Sequence, residues 1–130
     1  MRWLCSTLLI LFASACGGGL ERVTFVTDRL EYASSDRVML TATNVGNSPV
    51  TIDLCAAVLE AEKDRGATQD PTPCDGGPVV LAPGERTSTR RFFRLYTNLG
   101  GPIPMRYSVQ VSLASGETEE IFTPVFAVTP

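Results

Sequence analysis

The chain has 130 residues, one domain's worth, with 11 basic and 14 acidic side chains and a formal charge of −3. That balance excludes the basic footprint expected of a nucleic-acid binder. It contains no histidine, which removes the commonest general base, the commonest metal ligand and every Ser-His or Cys-His nucleophilic pair.

At the N-terminus, Met1 and Arg2 supply a short positive start. Trp3 to Ala13 is an apolar run broken only by Ser6 and Thr7, and Ser14-Ala15 sets small residues before Cys16. This is the layout of an export signal. The run is about half the roughly 20 residues that a spanning helix needs. The stretch Phe12-Ala13-Ser14-Ala15-Cys16 resembles the lipobox of bacterial lipoproteins, with Ala13 where that family usually has Leu. The resemblance implies cleavage after Ala15 and lipid attachment at Cys16. A plain signal cleaved nearby is the competing reading. Several acyl chains hold a protein durably on a bilayer. Gly17, where Asp would imply inner-membrane retention, implies forwarding to the outer membrane in a Gram-negative envelope. Gly17-Gly18-Gly19 reads as a flexible tether. The expected division is therefore a leader (1–15), a lipidated cysteine and tether (16–21), and a domain (22–130). Arg2 leaves with the leader, so the mature chain has a formal charge of −4.

In the body, strands alternate with turn signals. Arg22 to Thr27 is rich in β-branched residues and predicts the first strand. Leu30 to Asp36 reads as a polar bend. Arg37 to Asn44 alternates, with Val38, Leu40 and Ala42 on one face. After the turn chemistry of Gly46-Asn47-Ser48-Pro49, Val50, Ile52 and Leu54 form the next buried face, and the two runs read as a hairpin-like unit. In Ala56 to Lys63 helix competes with strand, and a strand running into a loop is preferred. Residues 66–78 read as irregular. Val79–Leu81 predicts a short strand, Ala82 to Glu85 a tight turn and Arg86 to Tyr96 a long strand. A Gly/Pro loop is expected at 98–104, then strands at Met105 to Leu113 and Thr118 to Val128. Pro124 demands an edge or a bulge in the last of these.

About seven short strands with turns roughly every ten residues predict an all-β, immunoglobulin-like antiparallel sandwich. Several motifs resemble bacterial immunoglobulin-like domains. They are Tyr32 with Asp36-Arg37-Val38, the turn Asn44 to Val50, Leu81-Ala82-Pro83-Gly84-Glu85, and the closing Pro124 to Val128. They are turn and core features, so they imply fold more than function.

Cys55 and Cys74 are an even pair in an oxidising compartment, for which a disulfide is the default; free thiols and a two-cysteine metal site are the alternatives. In the long strand, Arg86, Arg90 and Arg94 share a face with Phe92 and Tyr96. That stripe suits an anionic group such as a lipid headgroup, a glycan acid or an acidic partner. The plainer reading, and the favoured one, pairs it with acids on a neighbouring strand, where exposed pairs are worth about 0–1 kcal/mol. Arg91 falls on the apolar face and suggests a strand end or bulge. Asp64, Asp70 and Asp75 lack the dense spacing of a calcium loop. Residues 56–78 form the best loop for a contact, with a partnerless insertion as the alternative. No catalytic constellation, cofactor or metal site is expected. The sequence reads as a monomeric, non-catalytic binding or spacer module of the cell envelope, held to the membrane by its lipid and open to a protein or glycan partner. The alternative is a proteinase inhibitor of the bacterial all-β type.

Overall fold

A computed structural model describes residues 22–61, 67–69, 74, 76–95 and 101–129. The leader, Cys16 and the glycine tether lie outside these residues. Eleven strands are described: β1 (Val23–Thr27), β2 (Glu31–Ala33), β3 (Arg37–Asn44), β4 (Val50–Ile52), β5 (Val58–Ala61), β6 (Ala67–Gln69), β7 (Val79–Leu81), β8 (Arg86–Leu95), β9 (Ile103–Leu113), β10 (Thr118–Phe122) and β11 (Phe126–Thr129). One 3-10 turn, Leu54–Ala56, stands between β4 and β5.

The strands form two sheets. The first has the order β1-β3-β8-β6, all antiparallel. The second is built around β9, the longest strand. Along one side of β9, β10 and β11 lie end to end; along the other, β4 and β5 do the same. β7 extends this sheet beyond β4, and β2 extends it beyond β11 as a parallel pair. The apolar faces of both sheets meet in one core that includes Phe25, Leu40, Ile52, Tyr107, Phe126 and Val128. Strict alternation makes this possible. In β3 every second residue from Val38 is buried, because successive side chains point to opposite faces.

Five expectations are corrected. β3 and β4 are no hairpin: they belong to opposite sheets, so their apolar faces meet across the core. Asn44 pins this crossing. Its Nδ2 donates to the carbonyls of Ser48 (2.8 Å) and Leu81 (2.9 Å), and its Oδ1 accepts from the Gly46 amide at 2.9 Å. Second, the bend at 30–36 contains β2. Buried Tyr32 packs edge-on against Phe126, and the Tyr32 hydroxyl donates to Asp28 at 2.6 Å. Third, the stretch 66–78 contains β6, which borrows its order from β8. Fourth, β9 begins at Ile103, inside the expected Gly/Pro loop. Fifth, the last run is two strands. Thr123 replaces the ladder where Pro124 has no N–H: the Tyr107 amide donates to its Oγ1, and its amide donates to the Tyr107 carbonyl, both at 3.0 Å.

The Ala82–Glu85 turn forms as expected. The Glu85 amide donates to the Ala82 carbonyl at 2.9 Å, with Gly84 at φ +88°, the position where a side chain would be strained.

Candidate functional site

The arginine stripe rests on the central strand pair of the first sheet. Arg86, Ser88 and Arg90 are exposed on the outer face of β8, and Phe92 follows them half-buried. The antiparallel register sets Thr43 beside Arg86, Thr41 beside Ser88, Met39 beside Arg90 and Arg37 beside Phe92. The Arg37 guanidinium lies 5.6 Å from the Phe92 ring centre. This stacking holds a further cation, Arg37, beside Arg86 and Arg90, one that the strand pattern of β8 alone does not show. Its signal was present: Arg37 has the opposite parity to buried Val38. Yet only the β3–β8 register shows that it lies diagonal to Arg90.

No neighbouring strand supplies acids to this face. The strands of the first sheet, VTFVT, RVMLTATN, RTSTRRFFRL and ATQ, contain no Asp or Glu. Among the described residues the ion pairs are Arg22–Glu119, Arg29–Asp36 and Arg106–Glu60, and none involves Arg37, Arg86 or Arg90. The acid-paired reading of the stripe is therefore corrected. The side chain of Arg94 lies outside the described residues, although its backbone is part of β8.

Arg91 is a second correction. It sits in regular register opposite Val38, at neither a strand end nor a bulge, and is 7 % exposed. Its Nη1 donates to the carbonyls of Leu54 (3.2 Å) and Cys55 (3.1 Å). The 3-10 turn thus caps the guanidinium with backbone oxygens in place of a carboxylate. Cys55, within that turn, is joined to Cys74 with Cα atoms 5.6 Å apart, and Cys74 Sγ lies 3.3 Å from Thr89 Oγ1. The disulfide therefore docks on the inner face of β8, where Thr87, Thr89 and Arg91 stand in place of the usual apolar residues.

Near Arg91, the Tyr107 hydroxyl is buried without a hydrogen-bond partner among the described residues. Burial pushes it well above the ordinary tyrosine range, and the neighbouring Arg91 charge pulls the other way. On the second sheet an open depression of about 470 Å³ is lined by Glu60, Ala61, Pro104, Met105, Arg106 and Val125. Its charges satisfy each other, since Arg106 Nε donates to Glu60 Oε1 at 3.0 Å. Among the described residues no group of three or more His, Cys, Asp or Glu side chains gathers as metal ligands would. Cys16, Asp64, Asp70 and Asp75 lie outside those residues.

No family model and no curated protein matches the sequence. Solved structures do. The YadV chaperone superposes with a TM-score of 0.59 at 13% identity, over 85% of this chain and 52% of its own. The periplasmic chaperone SfaE gives 0.52 at 16% identity, over 83% and 56%. Escherichia coli alpha-2-macroglobulin activated by porcine elastase gives 0.54 at 20% identity, over 84% of this chain and 9% of its own. The Vibrio cholerae VesB protease gives 0.52 at 13% identity, over 92% and 35%. The chain thus spans about half the length of the chaperones it matches. At such identities the likeness is one of fold, and that fold is the immunoglobulin-like β-sandwich.

Proposed function

We propose that this protein is a lipid-anchored envelope module whose sandwich binds or spaces other envelope components without catalysing a reaction. The order of its parts carries this reading: an export-type leader, Cys16, three glycines, and a sandwich whose first strand starts at Val23. Among the described residues the buried core runs from Val23 to Val128. The fold supports a module of this kind, and no observation favours the inhibitor alternative.

Expression of the full chain in a Gram-negative host with a clickable palmitate analogue tests the anchor. The wild type is expected to take up label and to sediment with membranes. Cys16→Ala is expected to lose the label and, in a high-salt wash, to leave the membrane fraction. Undiminished label and sedimentation in Cys16→Ala would overturn the reading.

A further inference from the structure

The outer face of the first sheet joins exposed Arg86 and Arg90 with Arg37, held over Phe92, on strands that contain no acidic residue. Like charges at diagonal positions about 7–8 Å apart on a sheet repel unless counter-charge lies between them, and none of the four strands provides it. The acids in strands, Glu31, Glu60, Glu119 and Glu120, all belong to the second sheet. The molecule is net negative, yet its charge is divided between its two sheets.

We propose that this face docks flat on the anionic phosphate headgroups of the membrane that holds the protein. The proposal rests on the lipid-anchored reading for its geometry. Val23 lies seven positions after Cys16, a reach of about 25 Å when fully extended. The chain then enters β1, which is the edge strand of this same basic sheet. A lipid at Cys16 therefore keeps the face within a tether's length of the bilayer, and the acidic sheet turns away from it. Guanidinium groups match phosphate oxygens in a bidentate way. Half-buried Met39 and Phe92 and the 42 %-exposed Val26 add apolar contact between the charges. The face is a plain sheet surface and the depression lies on the other sheet, so many weak headgroup contacts suit it better than one enclosed ligand.

The test uses the chain from Gly17 to Pro130, which contains every described core residue and lacks the lipid. It is sedimented with vesicles rich in phosphatidylglycerol and with vesicles of phosphatidylcholine alone. Salt-sensitive binding to the first and none to the second is expected. The triple variant R37S/R86S/R90S should bind roughly 100-fold more weakly, at about fivefold per arginine. The single variant R90S should lose several-fold with an unchanged unfolding midpoint, which separates binding from folding. A charge-matched variant of the paired arginines, R22S/R29S/R106S, should keep most of the binding. Equal loss in the charge-matched variant, or equal binding to both vesicle types, overturns the proposal. So does competition by inorganic phosphate beyond that of chloride at equal ionic strength, which would mean a discrete phosphate site. Binding to polyglutamate with no binding to vesicles also overturns it, in favour of an acidic protein partner. A negative result here removes the face and leaves the anchor standing, because Cys16→Ala tests only the anchor.

Discussion

Arg91 shows how one residue can reverse the meaning of its surroundings. A guanidinium on the inner face of a sandwich carries a large desolvation cost unless its N–H groups are satisfied. Here Nη1 reaches two carbonyls of the 3-10 turn, Leu54 and Cys55, the first of which also accepts from the Ala57 amide. Arg91→Ala removes both bonds and opens a cavity beside Tyr107, and should cost about 2–4 kcal/mol. A thermal melt should show a drop of roughly 10 °C. A shift of less than a degree would mean that the two carbonyls find other donors at no cost. Asn44 plays the corresponding part at the other end of the sandwich, tying three backbone segments together through one side-chain amide.

At the scale of elements, β8 organises the molecule. Its outer face bears Arg86 and Arg90, its inner face receives the disulfide, and its far edge carries β6. β6 has only three residues and pairs with β8 alone, so it depends on the covalent link that closes the segment between Cys55 and Cys74. With a sequence separation of 19 between the bridged cysteines, the link should contribute about 3 kcal/mol by restricting the unfolded chain. The double variant Cys55→Ser/Cys74→Ser should therefore unfold at a lower denaturant concentration by that amount. Its denaturant slope should rise, because an unbridged chain exposes more surface. An unchanged midpoint would show that the bridge adds nothing to the fold. β10 and β11 show the opposite case, in which a proline divides one run into two strands and a threonine bridges the gap.

For the whole molecule, the lack of histidine becomes a statement about pH. No side chain has its ordinary titration between about pH 5 and 8, and the bridged cysteines do not titrate. Stability should therefore stay level across that range. Below it, Asp28 matters. Burial raises its carboxyl, but hydrogen bonds from the Tyr32 hydroxyl and the Met39 amide outweigh that and hold it below the ordinary range. A depressed carboxylate stabilises the fold above its unfolded value of about 3.9, and that contribution is lost as pH falls through the folded value. Tyr32 and Tyr107 are both raised, first by burial. Their contribution is complete below the unfolded tyrosine value of about 10 and is lost as pH rises past it. Urea midpoints across pH should trace a plateau with an acid and an alkaline shoulder. A step between pH 6 and 7 would contradict this account.

Much of this was legible in the residues themselves. The alternation from Val38 to Ala42 and from Tyr107 to Val111 marks the buried faces, because a strand's period is two wherever it lies. The Pro83-Gly84 turn is local chemistry, and a missing histidine is missing in any fold. What only the tertiary structure decided was the partner of each strand. Glu31–Ala33 is a strand because β11 runs parallel beside it, and Ala67–Gln69 because β8 does so antiparallel. Neither three-residue segment has a period of its own to reveal this. The stripe of arginines was visible along β8, but the absence of acids beside it was not, since a strand's neighbours are set by backbone hydrogen bonds between residues far apart in the chain. Arg91 could be placed on the inner face by parity alone. Which carbonyls receive it depended on the 3-10 turn crossing from the other sheet.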